Sequence, residues 1–146
     1  MKVISLVNQK GGVAKTTTSA ALADYFARNG KKTLLVDFDP QGSLTTSFGL
    51  ADDTDNPQAL KFLSLDKGMS EAEIHKLTTM LDIVTSDIGL EKANNVLAAK
   101  FGKECYLRRA IEKIAQKENY DYVILDSNPS FSQLTINVLY ASDKVL

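Results

Sequence analysis

A chain of 146 residues, 44% apolar and 24% charged, is about one domain long and carries enough apolar side chains to bury a core. Its 17 Lys and Arg against 18 Asp and Glu leave a formal net charge of −1, so no global basic excess advertises nucleic acid, and any such contact needs a local patch. The single cysteine, Cys105, excludes an intramolecular disulfide and a four-ligand metal site, no apolar run approaches the roughly 18 residues of a membrane span, and with no signal-peptide layout the cytoplasm is the expected location.

Residues 3–7 form a short apolar, β-branched run that reads as a strand. A helix is expected from Thr16 to Asn29, with Leu22, Tyr25 and Phe26 on one side and Gly30 as its C′ glycine. Residues 33–36 make a second strand without polar alternation, as strands buried on both faces do. Between Ala51 and Gly68 the pattern is poor, and the acidic stretch before Pro57 reads as a surface insertion. Ser70 with Glu73 has capping-box spacing, predicting a short helix that carries Ile74, His75 and Leu77. Residues 81–85 are a weaker strand. Lys103 to Glu118 spaces Leu107, Ala110, Ile111, Ile114 and Ala115 as one helical face, and Phe131 to Ala141 does the same with Phe131, Leu134, Thr135, Val138 and Leu139. Residues 122–125 form another fully apolar strand, and residues 144–146 look like the opening of one more. Strands alternating with helices imply βαβ units, hence an α/β fold with a mainly parallel sheet flanked by helices in three layers.

The chemistry is concentrated at strand ends. Lys10-Gly11-Gly12-Val13-Ala14-Lys15-Thr16-Thr17 lies between the first strand and the first helix. Glycines there let backbone amides converge on a phosphate at a helix N-terminus, Lys15 adds a point charge, and Thr16 offers a hydroxyl to Mg²⁺. The ordinary P-loop pattern is not matched, because Gln9 and Ala14 occupy its two glycine positions. Asp37-Phe38-Asp39-Pro40-Gln41-Gly42 follows the second strand, where the carboxyl end of a parallel sheet forms its ligand crevice. Asp126 closes the apolar strand at residues 122–125, so its carboxylate can hold a metal-bound water.

The first of these motifs resembles the deviant Walker A sequence K-G-G-x-x-K-T-T of the ParA and MinD family of ATPases, and the second resembles that family's D-x-D-P-Q box. The resemblance runs over essentially all 146 residues, as one P-loop domain corresponding to the N-terminal part of the family's domain. It implies ATP and Mg²⁺ as ligands. It assigns Lys10 to the partner's phosphates across an ATP-sandwiched homodimer, Asp39 to the attacking water, and Thr16, Asp37 and Asp126 to the metal. Where the family follows the strand-ending Asp with a small residue and two prolines, this chain has Ser127-Asn128-Pro129, which puts the local turn in question. The Pro-Gln-Gly box favours plasmid or chromosome partition ATPases, implying nonspecific DNA, a centromere-binding ParB-type protein and nucleoid association. A MinD-like membrane-associated ATPase, marked by a C-terminal amphipathic helix, and a shortened module without productive ATPase activity are the alternatives. Cys105 alone does not suit the related nitrogenase iron protein, whose subunits each supply two cysteines to a bridging cluster. Cys105 is expected to be a free thiol, His75 a surface or packing residue, and Tyr106, Tyr120, Tyr122 and Tyr140 packing residues.

Overall fold

The apolar runs pair side by side as buried strands must, each satisfying its backbone polar groups on its neighbours. The structure, a computed structural model, describes residues 1–50, 58–63 and 74–146. In chain order it runs β1 (Lys2–Leu6), α1 (Lys15–Arg28), β2 (Thr33–Phe38), α2 (Ser43–Ser47), α3 (Gln58–Leu63), β3 (His75–Lys76), β4 (Leu81–Val84), a 3₁₀ turn (Ile88–Glu91), α4 (Lys92–Ala98), a second 3₁₀ turn (Lys103–Cys105), α5 (Tyr106–Glu118), β5 (Tyr122–Ser127), α6 (Gln133–Ala141) and β6 (Lys144–Val145). The sheet order is β3-β4-β2-β5-β1-β6, parallel throughout except for β3, which pairs antiparallel with β4.

Strand alternation divides the core in two. Leu34 and Val36 of β2 face a cluster with Leu107, Ala110 and Ile111 of α5 and Leu134 and Val138 of α6. Leu35 points the other way, into a cluster with Ala23, Leu22 and Phe26 of α1. The expected three layers follow. α1 is closed by a Schellman motif: Lys31 N–H donates to Phe26 O and Gly30 N–H to Ala27 O, both at 3.0 Å, with Gly30 at φ 72°. Phe26 stacks on Tyr122 with ring centroids 3.8 Å apart, which fixes that helix over β5.

Several expectations need correction. The surface insertion at 51–68 contains α3, whose Ala59 and Leu63 are buried in the core and whose Ala59 N–H donates to Thr85 O at 3.0 Å. Ser70 and Glu73 lie outside the described residues, but the helix expected through Ile74 and Leu77 is not formed. Those two side chains pack into opposite core clusters, as strand neighbours do, and His75 pairs with Ile83. The last long helix begins at Gln133, so Phe131 precedes it and is 71% exposed. Leu134, Thr135 and Val138 are buried as expected, and Asn137 joins them, its Oδ1 accepting from Leu107 N–H and its amide donating to Lys103 O. Leu139 is turned outward, and Tyr140 is 56% exposed rather than packed. Tyr120 is buried as expected, donating to Asp82 Oδ2 at 2.6 Å.

Candidate phosphate-binding site

β1, β5 and β2 are adjacent and in register, with Leu6 opposite Asp126 and Asp126 opposite Asp37, so their C-terminal ends present the predicted motifs together. Above them opens a cleft of about 500 Å³ lined by residues 11–17 together with Asp39, Gln41, Ser43 and Pro129.

The loop enters α1 through two residues with left-handed backbone, Gly12 at φ 72° and Ala14 at φ 60°. For Ala14 this conformation costs roughly 1–2 kcal/mol, strain that the loop holds where an ordinary P-loop has glycine. Ala14 is the N-cap of α1 and supplies no side-chain hydrogen bond, and the first turn contains no acidic residue. An anion reaching the first amides of α1 would therefore meet no competing carboxylate from that turn. Lys15, half-buried, is the first helical residue. Lys10 is exposed and lies outside the cleft lining, its backbone N–H donating to Asn8 Oδ1 at 2.9 Å.

Asp126 lies directly beneath this turn and is almost fully buried. Thr16 Oγ1 donates to its Oδ2 at 2.7 Å and Ser19 Oγ to its Oδ1 at 3.0 Å. Burial raises the pKa of Asp126, while the two hydroxyls and the nearby charge of Lys15 lower it and the charge of Asp39 raises it further. Ser19 has no motif of its own; its position one turn after Thr16 is the only signal that it shares that helix face.

Asp39 reaches the cleft on a tight turn. Gly42 N–H donates to Asp39 O at 2.9 Å, Gln41 N–H donates to Asp39 Oδ1 at 3.0 Å, and Pro40 presets the turn's second position. Asp37 is fully buried behind it and does not line the cleft. Its Oδ2 accepts from Thr45 N–H at 2.8 Å and Thr45 Oγ1 at 2.7 Å, and its Oδ1 from Asp39 N–H at 3.2 Å, so it caps α2. After Asp126, Asn128 stands where the family has proline; its amide donates to Ser130 Oγ and its Oδ1 accepts from Thr135 Oγ1, so side-chain bonds tie this turn to α6 in place of a ring.

Burial pushes the Asp37 carboxyl from 3.8 up to about 6, outweighing its hydrogen bonds from Thr45 and Asp39, with the Asp126 charge adding to the rise. The folded state thus binds the extra proton between pH 3.8 and about 6. This contribution to stability is complete below 3.8 and lost as pH rises through about 6, by roughly 3 kcal/mol. Urea unfolding across that window should show the ligand-free wild type losing this much more stability than Asp37→Asn. Parallel pH curves for the two proteins would contradict it.

The whole chain, residues 1–146, matches the family model described as AAA domain. It is 43% identical over 147 residues to the sporulation initiation inhibitor protein Soj of Bacillus subtilis, covering 99% of this chain and 56% of that protein. It is 37% identical over 147 residues to the chromosome-partitioning ATPase Soj of Treponema pallidum, covering 99% of this chain and 55% of that one. Among solved structures it is similar to cobyrinic acid a,c-diamide synthase from Mycobacterium smegmatis with bound ADP and magnesium, at TM-score 0.90 and 36% identity over 99% of this chain and 58% of that one. The chain thus spans between half and two thirds of the length of these proteins. Among the described residues no helix is long and apolar enough to cross a membrane.

Proposed function

We propose that the chain, which belongs to the ParA and MinD family of AAA-domain ATPases, binds Mg²⁺-ATP in the cleft at α1 and hydrolyses it as the ATPase of a partition system. The observation that carries this reading is the juxtaposition of an uncapped helix N-terminus and Lys15 with Asp39 across one open cleft. The amides of residues 11–16 and the Lys15 ammonium hold the β- and γ-phosphates. Asp39, held by its turn at the cleft wall, accepts a hydrogen bond from the attacking water and orients it toward the γ-phosphate.

The donor set suits magnesium. Thr16 and Asp126 offer hydroxyl and carboxylate oxygens 2.7 Å apart with no sulfur or nitrogen ligand, and no group of three acidic, His or Cys side chains forms a metal cage among the described residues. Thr16 would hold the ion directly and Asp126 through a bound water, while Asp37, buried behind the cleft with its Oδ1 on the Asp39 N–H, would act only from the outer shell. When bound, Mg²⁺ would neutralise charge on the β- and γ-phosphate oxygens.

Lys10, exposed outside the cleft, is free to serve a second copy's phosphates, so that ATP becomes part of a homodimer interface and hydrolysis weakens it. Chromosome partitioning in the name of the Treponema relative, together with the Pro40-Gln41-Gly42 turn, favours cargo segregation, with nonspecific DNA and a ParB-type centromere-binding protein as partners.

Equilibrium dialysis against labelled ATP, ADP and GTP with and without Mg²⁺ tests the reading. Micromolar binding of ATP and ADP that weakens when EDTA removes the metal is the expected result, and no binding at high micromolar nucleotide would reject it for this chain. Lys10→Ala should keep ATP binding but lose ATP-dependent dimerisation in gel filtration. An unchanged dimer would refute the role across the interface.

A further inference from the structure

We propose that Thr45 is a positioning residue of the cleft: its hydroxyl locks the end of β4 to Asp37 and thereby fixes the turn that carries Asp39. This rests on the ATPase reading above for its catalytic consequence, but the lock itself stands on geometry. Thr45 is almost fully buried, the third residue of α2. Its hydroxyl uses its proton on Asp37 Oδ2 at 2.7 Å and a lone pair on Ser86 N–H at 2.9 Å. Asp37 continues the chain through Oδ1 to the Asp39 N–H at 3.2 Å. One hydroxyl therefore joins the backbone just past β4 to the backbone of the residue assigned to the attacking water.

The neighbouring hydroxyls show that this is not the ordinary behaviour of a threonine in a helix. Thr46 Oγ1 folds back onto Gly42 O and Ser47 Oγ onto Leu44 O, the local bonds such residues make within a helix. Thr45 instead reaches a residue 41 positions away in the chain. The same two segments meet a second time: a Cβ placed on Gly42 would lie 2.7 Å from Ser86 O. The Asp39 turn is thus pressed against the β4 end at one point and bonded to it through Thr45 at another. A turn held at both points presents the Asp39 carboxylate in one place, the condition under which a water can be aimed rather than merely bound.

Thr45→Val removes the hydroxyl, keeps the shape and leaves the Thr45 N–H bond in place; Thr45→Ser restores the hydroxyl. Three readouts on the whole chain separate the possibilities. Amide hydrogen exchange at Asp39 and Gln41 should accelerate about ten-fold or more in Thr45→Val and return close to wild type in Thr45→Ser. Mg²⁺-ATP affinity should change less than about three-fold in either variant, because the phosphate-binding amides and Lys15 are untouched. The kcat for ATP should fall roughly 10- to 100-fold in Thr45→Val with KM nearly constant, and recover in Thr45→Ser. Unchanged exchange at Asp39 in a folded Thr45→Val protein overturns the proposal, as does a kcat equal to wild type. If Thr45→Val does not fold, the serine variant and Thr45→Cys decide by the same exchange measurement. A wild-type chain that binds no nucleotide defeats the ATPase reading instead, and the exchange result then judges the lock alone.

Discussion

Gly42→Ala is expected to lower the unfolding free energy by about 3 kcal/mol, a large share of the roughly 5–15 kcal/mol that holds a domain together. Two costs combine. Gly42 has φ 61°, a conformation that charges any L-residue with a side chain roughly 1–2 kcal/mol. The added methyl would also stand 2.7 Å from the carbonyl oxygen of Ser86, with the Ser86 carbonyl carbon at 3.6 Å and Asp87 Cα at 3.8 Å. That obstacle is backbone, so no rotamer relieves it and the segments must part, an overpacking cost of about 1–3 kcal/mol. Gly30→Ala is the control, because Gly30 has φ 72° but nothing within 4 Å of its added Cβ. It should lose only the conformational part, about 1 kcal/mol. Urea unfolding of the three proteins gives the steric contribution as a difference, and equal losses at the two glycines would mean that the β4 end does not press on this turn. The melting temperature of Gly42→Ala should fall by roughly 6–12 °C.

The second large effect is on ligand rather than fold. Lys15→Ala should weaken Mg²⁺-ATP binding about 30- to 150-fold, the 2–3 kcal/mol of a charge-assisted contact to phosphate. Lys15 opens α1, where alanine is a better helix former, so the variant should remain folded with a stability change within about 0.5 kcal/mol. Its charge already reaches the site, since it is one of the influences that lower the Asp126 pKa. Removing it leaves Asp39 and Asp126 with less compensation, so phosphate would meet a more negative cleft as well as losing its cation. Calorimetric titration of both proteins decides the point. Affinity within about three-fold of wild type would place the phosphates elsewhere.

The legible parts were those in which a residue type is demanded locally. The loop between β1 and α1 was legible because a tight strand-to-helix turn calls for glycine, and the turn at Asp39 because Pro40 and Gly42 each meet a specific backbone need. The apolar strands were legible because burial on both faces leaves no room for polar alternation. What escaped depends on neighbours distant in the chain. Ser19 acquires its partner 107 positions away and Thr45 one of its partners 41 positions away, and nothing in a local pattern distinguishes either hydroxyl from Thr18 or Thr46, which bond within their own helices. Ile74 and Leu77 have helical spacing, yet the pairing of His75 and Lys76 with β4 sends them to opposite faces. α3 is six residues long and too short to show a period, so its burial against the β4 end is a tertiary result.

α1 begins on a left-handed Ala14 with no side chain of its own to satisfy the opening amides. Most helices carry that satisfaction with them as a serine, threonine or aspartate. On the phosphate-binding reading proposed above, this helix would receive it from the ligand, so that a bound phosphate would become a removable part of the helix and occupancy would add order to its first turn. The turn that a phosphate would complete is the one that presents Thr16 and Ser19 to Asp126. On that reading, a partner resting on this turn would feel the presence of the nucleotide without touching it.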